Sequence, residues 1–195
     1  MNQEINLLFL LTNVLLGAGL AMDAFSVSLA NGLNEPGMRK HKFFGIAGTF
    51  AFFQFAMPMI GWICIHTILG YFQAFQKYIP WIALALLSYI GIKMILDGRK
   101  EEESGKAGKL KPPELILQGI ATSIDALSVG FTIAEYSAMA AFTASVIIAA
   151  VTFAICVGGL YIGRRFGTKI SGKASILGGC ILIGIGLEIF LTGIF

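Results

Sequence analysis

Long apolar runs separated by short polar breaks dominate this chain of 195 residues. A transmembrane helix needs about 20 mostly apolar residues. The runs that meet this criterion cover residues 6–30, 43–70, 79–97, 114–134, 139–163 and 174–194. The pattern therefore predicts an all-α integral membrane protein of about six transmembrane helices, with the lipid bilayer as its surroundings.

The composition agrees with this interpretation. Charged residues make up 13% of the chain, whereas soluble domains carry about 25%. The basic residues lie in short loops and form no stripe with exposed aromatic residues, which argues against a nucleic-acid partner. Cys64, Cys156 and Cys180 each lie inside an apolar run without a C-x-x-C pair, which argues against a disulfide framework or a thiolate metal site.

The distribution of lysine and arginine predicts an orientation. Twelve of the fourteen lie in the first, third and fifth loops, and neither terminal segment carries any. Cytoplasmic loops are enriched in basic residues. We therefore expect the first, third and fifth loops in the cytoplasm and both termini outside it.

A self-alignment at an offset of 102 residues indicates an internal repeat. Residues 17–28, GAGLAMDAFSVS, fall on residues 119–130, GIATSIDALSVG, and five of the twelve pairs are identical. One identical pair joins Asp23 in the first span to Asp125 in the fourth. An aspartate shared within the same membrane context is a more specific signal than matches between apolar residues.

Two repeats of three spans each must enter the membrane in opposite directions, because three is an odd number. The predicted organisation is a first three-helix repeat at 1–97, a cytoplasmic hydrophilic loop at 98–113 and a second three-helix repeat at 114–195. Inverted repeats of this kind are typical of secondary transporters, which bind their substrates near the bilayer midplane where the repeats meet.

The paired aspartates are the principal candidate site. An acidic residue inside a membrane is costly and commonly functional. Ser26 and Ser128 each follow an aspartate by three residues, and Thr122 precedes Asp125 by three. Residues at this spacing share a helix face, so these hydroxyls are candidate ligands, although they could equally bond to their own helix backbone.

Two facing carboxylates would carry a charge near −2, which matches a divalent cation. Carboxylate, hydroxyl and carbonyl oxygens suit Mg, Ca and Mn, and Gln54 in the second span offers one further oxygen. Close carboxylates raise each other's proton affinity, so protons are a candidate counter-ion. Gly17, Gly19 and Gly119 would permit close helix packing or local unwinding.

Several stretches of the sequence resemble the MntP-type manganese efflux pumps. The paired motifs are Met22–Ser28 and Ser123–Gly130, supported by the Met57–Gly61 segment and by glycine-rich pieces of the last span. The resemblance covers nearly the whole chain outside residues 98–113. It implies a bacterial inner-membrane exporter that carries Mn²⁺ as substrate and needs no cofactor. Some family members carry Glu or His where this chain has Gln54.

The residues leave three alternatives open. An exporter of amino acids or other small organic solutes, similar to the LysE type, could use two acids to hold an ammonium group. An aspartyl intramembrane protease also needs two buried acids, but its Gly-x-Gly-Asp context is missing here. An accessory membrane protein would tolerate the loss of both acids.

The mechanism that we expect from the sequence is alternating access. Mn²⁺ would bind between the first and fourth spans at Asp23 and Asp125, and would leave outward when the repeats rock. The chain contains no G-x-x-x-x-G-K-[ST] phosphate-binding loop, so proton antiport is a more suitable energy source than ATP hydrolysis.

Overall fold

The computed structural model describes residues 6–67, 81, 84–85, 87–93, 95–96, 110–167, 176–177, 180–184, 187 and 190–191. All regular secondary structure within these residues is helical. The prediction of an all-α membrane protein is confirmed. The five helices with defined ends are α1 (Leu7–Asn34), α2 (Lys40–Thr67), α3 (Pro112–Thr122), α4 (Ala126–Thr132) and α5 (Ala138–Gly167).

Three of these helices are long and apolar enough to cross a membrane. They are α1, α2 and α5, and they correspond to the predicted first, second and fifth spans. Helix α1 begins where the Asn6 side chain accepts a hydrogen bond of 2.8 Å from the Phe9 N–H, because an Asn side chain satisfies one of the free N–H groups at a helix start.

The third and sixth predicted spans are described only in part. Their described residues are helical, and the rings of Trp81 and Phe190 meet edge to face with centroids 4.7 Å apart. Lys93 in the third span forms a salt bridge with Glu114 in α3. Most of the predicted loop at 98–113 lies outside the described residues.

The fourth predicted span is not the single helix over 114–134 that the hydropathy pattern indicated. It consists of α3 and α4 with a turn at residues 123–125 between them. Ser and Asp side chains compete with helical hydrogen bonding by bonding to nearby backbone groups. Here the Asp125 carboxylate accepts a 2.8 Å bond from the Ala126 N–H, which favours the start of a new helix at that position.

Glycines let α1 and α5 approach each other through their backbones. A Cβ atom at Gly163 would lie 2.3 Å from the Leu29 carbonyl oxygen, and one at Gly32 would lie 2.6 Å from that of Leu160. Small residues at helix contacts in membranes permit this close packing. Helices α1 and α5 therefore form one tightly packed pair.

The contact between α2 and α4 repeats this arrangement. A Cβ atom at Gly61 would lie 2.3 Å from the Leu127 carbonyl oxygen, and one at Gly130 would lie 2.4 Å from the carbonyl carbon of Gly61. In both pairs, a glycine of one helix meets a Leu-x-x-Gly segment of the other, Leu29–Gly32 in α1 and Leu127–Gly130 in α4. The two crossings are thus built alike.

One end of the bundle is basic. Here α1 and α5 end while α2 and α3 begin, and the Arg164 Nε–H donates a 2.9 Å hydrogen bond to the Pro36 carbonyl oxygen. The basic residues at this end, which we call the basic end, are Arg39, Lys40, His41, Lys42, Lys111, Arg164 and Arg165.

Large apolar side chains cover much of the outer surface of the helices. Leu8 and Leu15 of α1, Phe52 of α2 and Met139 of α5 are all more than half exposed. Contiguous apolar surface on this scale marks contact with a membrane or a partner. Together with the three membrane-length helices, it identifies an integral membrane protein.

Candidate functional site

The two aspartates lie at comparable depths in the bundle. Asp23 is 16 residues into α1, about 24 Å along its axis at 1.5 Å per residue. Asp125 lies in the turn between α3 and α4. Both side chains are half-buried, and the Asp125 carboxyl group is close enough to Asp23 for the two charges to interact. The two predicted acids therefore lie within electrostatic range of each other.

Gln54 of α2 joins the two aspartate segments. Its Nε2 group donates hydrogen bonds to the carbonyl oxygens of Leu20, at 3.0 Å, and Thr122, at 3.4 Å. Leu20 precedes Asp23 by three residues, and Thr122 precedes Asp125 by three. One fully buried amide thus bridges two positions that are 102 residues apart, which is the offset of the self-alignment.

Two oxygen atoms of Gln54 have spare bonding capacity. Its side-chain Oε1 is buried without a hydrogen-bond partner among the described residues. Its main-chain carbonyl faces Pro58 four residues later in α2, and proline has no N–H to donate to it. A buried polar atom without a partner is costly, so these oxygens are suited to a ligand that supplies positive charge or a proton.

The break between α3 and α4 adds further polar groups beside Asp125. The Ser123 hydroxyl is buried without a hydrogen-bond partner among the described residues. A helix interruption also leaves carbonyl groups that have no donor from the next turn. Interrupted helices at membrane depth are tolerated where they line a cavity or a binding site. Ser123 was not among the predicted site residues.

The predicted hydroxyl ligands are partly engaged with their own helices. The Ser26 hydroxyl donates to the Met22 carbonyl at 3.0 Å, and the Thr122 hydroxyl donates to the Gln118 carbonyl at 2.9 Å. Each oxygen keeps lone pairs that can accept or ligate. Ser128 lies half-buried on α4, one turn after Asp125.

Of the glycines for which close packing or local unwinding was expected, Gly17 and Gly119 lie at close packing contacts and Gly19 does not. Gly17 lies within α1 against the backbone of Ile148, and a Cβ atom at Gly119 would lie 2.4 Å from the Phe53 ring. A Cβ atom at Gly19 would meet nothing within 4 Å. The interruption is instead at residues 123–125, because the backbone is turned there by Ser and Asp chemistry and not by glycine.

The potential cation ligands identified near the aspartates, among the described residues, are oxygen atoms. In the part of the chain that the structure describes, no three His, Cys, Asp or Glu side chains form a metal-binding group. A cation held here would be ligated by the two carboxylates with amide, hydroxyl or carbonyl oxygens. Such oxygens are the ligands that hard divalent cations prefer.

A buried amide pair that was not among the predicted site residues connects α1 to α3. The Asn31 Nδ2 donates to the Gln118 Oε1 at 2.7 Å, and the Gln118 Nε2 donates back to the Asn31 Oδ1 at 3.2 Å. Both residues are almost fully buried. The available signal was Gln118 inside the predicted fourth span, where an unpaired amide is costly, whereas Asn31 lies one residue beyond the predicted end of the first span.

Comparison with known proteins places the chain in a family. A family model described as "Putative manganese efflux pump" matches residues 37–190. A relative of that name from Methanosarcina acetivorans is 41% identical over 92% of this chain and 94% of its own length. Those from Gloeothece citriformis and Clostridium botulinum are 41% and 40% identical, each over 93% of this chain and over 95% and 94% of their own lengths. No solved structure matches.

These matches also distinguish a transporter from an enzyme. The matched family is one of transporters, so the expectation of a transporter and not an enzyme is confirmed, and no cofactor-dependent enzyme family is indicated. The family model covers more than half of the chain, and the relatives cover nearly all of it. The chain belongs to the MntP family of manganese efflux pumps.

Proposed function

We propose that this protein exports Mn²⁺ from the cytoplasm by alternating access, through a site formed by Asp23 and Asp125. The observation that carries the proposal is the Gln54 amide, which bonds to the carbonyl oxygens of Leu20 and Thr122 beside the two acids. Leu20 and Thr122 correspond to each other in the two repeats. A single side chain that bonds to both would lie near the pseudo-two-fold axis that relates the repeats. Transport sites of inverted-repeat proteins lie at this place.

The two glycine crossings support the repeat. Helix α1 packs on α5, and α4 packs on α2, through the same Gly against Leu-x-x-Gly contact. In a three-plus-three repeat, the first and fifth spans are the counterparts of the fourth and second. We therefore infer two inverted repeats, one within 1–97 and one within 114–195, which meet at Gln54.

The site chemistry supports a divalent cation, and the relatives support manganese. Asp23 and Asp125 supply the charge, while Gln54 Oε1 and the hydroxyls of Ser26, Thr122 and Ser128 are candidate neutral ligands, to which Ser123 is added. Mn²⁺ accepts such oxygen ligands. The choice of Mn²⁺ over its neighbours rests on the names of the relatives, which are called manganese efflux pumps.

The orientation follows from the basic end. Basic residues concentrate on the cytoplasmic side of membrane proteins, so the basic end faces the cytoplasm and both termini lie outside. In a bacterial cell this places the protein in the inner membrane. Mn²⁺ then reaches the aspartates from the basic end and leaves at the opposite end.

We further propose that protons drive the export. Because a carboxylate near another carboxylate binds a proton more readily, protons that arrive from outside compete with Mn²⁺ for Asp23 and Asp125. Exchange of the two at one site couples their movements in opposite directions. In proteoliposomes that contain the purified protein, an imposed pH gradient is expected to accelerate Mn²⁺ movement toward the acidic compartment.

The first test measures intracellular manganese in cells that lack their own exporter. The cells would carry the wild-type chain, Asp23→Asn, Asp125→Asn or an empty vector, at matched levels in the membrane. Thr143→Val is the control substitution, because the Thr143 hydroxyl bonds only to the Met139 carbonyl of its own helix among the described contacts. Wild type and control are expected to lower manganese, and both Asn variants to behave as the vector.

Each of the other outcomes contradicts a separate part of the proposal. If the wild-type chain leaves manganese unchanged but lowers intracellular lysine, the substrate is wrong and an amino-acid exporter is favoured. If either Asn variant exports as well as wild type, the site is wrong whatever the substrate.

A further inference from the structure

The reciprocal amide pair between Asn31 and Gln118 closes one side of the site. Both hydrogen bonds run between α1 and α3, the helices that carry or adjoin the two aspartates. Both side chains are almost fully buried, with relative exposures of 1% and 0%. The two amides thus satisfy part of each other's hydrogen-bonding capacity and join the two helices directly at that level.

The pair lies between the aspartates and the basic end. Asn31 follows Asp23 by eight residues, and Gln118 precedes Asp125 by seven. At 1.5 Å per helical residue, these separations are about 12 Å and 10 Å along the helices. A cation that moves from the basic end to the aspartates along the seam between α1 and α3 must pass this level.

A second polar layer lies nearer the basic end. The Glu35 carboxylate accepts hydrogen bonds from the Lys42 Nζ, at 2.5 Å, and from the Leu110 N–H, at 3.3 Å. These contacts again connect the end of α1 to the segment before α3. The seam is therefore closed by polar contacts at two successive levels in this structure.

The opposite side of the site is closed differently. The positions equivalent to Gln118 and Asn31 at the 102-residue offset are Leu16 and Ile133. Leu16 is seven residues before Asp23, and Ile133 is eight after Asp125. Both belong to one apolar cluster around Ile148 of α5. The layer seven to eight residues from the aspartates is therefore polar toward the basic end, where it contains Asn31 and Gln118, and apolar toward the opposite end, where it contains Leu16 and Ile133.

We propose that Asn31 and Gln118 form a polar gate, which opens to admit the cation from the basic end. This inference rests on the proposed transport function. When the pair separates, each amide oxygen exchanges the hydrogen bond that it accepts from the other amide for coordination to the cation or for a hydrogen bond from the cation's water shell, which offsets part of the cost of opening. The Leu16 and Ile133 layer offers a hydrated ion no ligand and stays closed during loading.

Accessibility of a cysteine placed beyond the gate tests this proposal. The chain would have Cys64, Cys156 and Cys180 replaced by Ala and Ser123 replaced by Cys, since Ser123 is buried beside Asp125. A membrane-impermeant thiol reagent would be applied to inside-out vesicles and, separately, to intact cells. Transport would be verified in the chain without native cysteines before Ser123→Cys is introduced, and the Ser123→Cys chain would be required only to be folded in the membrane at the wild-type level, because labelling needs no transport.

If Asn31 and Gln118 form a gate, substitutions that break the pair should increase labelling of the cysteine at position 123. Gln118→Ala removes two neutral hydrogen bonds, and we expect labelling of the introduced cysteine from the basic end to rise about tenfold. The double exchange Asn31→Gln with Gln118→Asn restores a complementary amide pair and is expected to return labelling toward the starting rate. Labelling from the opposite side is expected to stay unchanged.

Asn13→Ala is the matched control. Asn13 is also a buried amide of α1, but its Nδ2 bonds to the Phe9 carbonyl of its own helix, on the far side of Asp23. It should leave labelling from the basic end unchanged. The proposal is overturned if Gln118→Ala labels no faster than Asn13→Ala in folded protein, or if both change labelling equally.

The assay separates the gate from the transport function. Labelling does not require manganese, so faster labelling by Gln118→Ala together with no manganese export by wild type supports the gate and contradicts the proposed substrate. Export that depends on the two aspartates together with unchanged labelling contradicts the gate and leaves the proposed function standing.

Discussion

The side chain of Gln54 bridges the two aspartate segments and also presents an oxygen atom that is suited to bind a ligand. Its NH₂ group holds the Leu20 and Thr122 carbonyls, while its Oε1 is left buried without a partner among the described residues. A Glu at this position would offer two acceptors and no donor when ionised, so it could not make the same bridge. The amide therefore fixes the geometry of the aspartate segments without adding to their charge.

Gln54→Met removes the hydrogen bonds from the Gln54 amide to Leu20 and Thr122 but keeps a side chain of similar length, so it tests the hydrogen bonds with little change in packing. The Thr122 carbonyl at the end of α3 loses the Gln54 donor, and leaving a buried carbonyl without a donor costs about 1–3 kcal/mol, so we expect a lower thermal midpoint in detergent and strongly reduced manganese export. Thr49→Val of the same helix is the control, because among the described contacts the Thr49 hydroxyl bonds only to the Gly45 carbonyl of α2. Equal export by Gln54→Met and wild type would remove Gln54 from the site.

At the residue scale, the sequence predicted the acids better than their neighbours. Asp23 and Asp125 were identifiable because a carboxylate in an apolar span is rare and this one is repeated. Asn31, Gln118 and Ser123 were not, because the role of a buried amide or hydroxyl depends on its spatial partner. Asn31 and Gln118 are 87 residues apart in the chain, and no local pattern connects them.

At the scale of helices, hydropathy located the spans but not the interruption in the fourth. The average over about 20 residues that identifies a span is insensitive to three turn residues within it. The break at 123–125 depends on local hydrogen bonds such as that from the Ala126 N–H to Asp125. Its consequence is that α4 packs against α2 while α3 stays joined to α1 by the amide pair.

Two neighbouring glycines of α5 provide a matched test of the helix crossing. A Cβ atom at Gly159 would lie 2.7 Å from the Phe25 carbonyl oxygen, whereas one at Gly158 would meet nothing within 4 Å. Gly159→Ala must push α1 away from α5, and overpacking of this kind costs about 1–3 kcal/mol. Gly158→Ala should be neutral or stabilising by up to about 1 kcal/mol.

Thermal unfolding of the two variants in detergent, followed by size-exclusion chromatography, measures this difference. We expect Gly159→Ala to lose folded protein at a lower temperature than wild type, and Gly158→Ala to match or exceed it. Indistinguishable curves for the two variants would mean that α1 and α5 do not pack through their backbones at this level.

At the scale of the whole molecule, the distribution of charge predicts how the bundle sits in the membrane. The first loop and the end of α5 lie on the same side of the bundle, because Arg164 donates a hydrogen bond to Pro36. Because basic residues concentrate on the cytoplasmic side of membrane proteins, we expect the basic end to face the cytoplasm.

Cysteines in opposite loops test that sidedness. Gly37 in the first loop and Glu135 between α4 and α5 are both exposed. In the background without native cysteines, an impermeant maleimide on intact cells should label Glu135→Cys and leave Gly37→Cys unlabelled until the cells are permeabilised. The reverse pattern would place the basic end outside and contradict export in the proposed direction.

The glycine crossings also bear on how freely such a sequence can change over evolutionary time. Backbone contact at glycines such as Gly32, Gly159 and Gly163 between α1 and α5, and Gly61 and Gly130 between α2 and α4, fixes the spacing of two helix pairs at a few positions. The lipid-facing side chains around them need only remain apolar. Duplicated halves under such a constraint can diverge almost everywhere else and still keep the same crossing, so a repeated architecture can persist after most of its sequence identity has been lost.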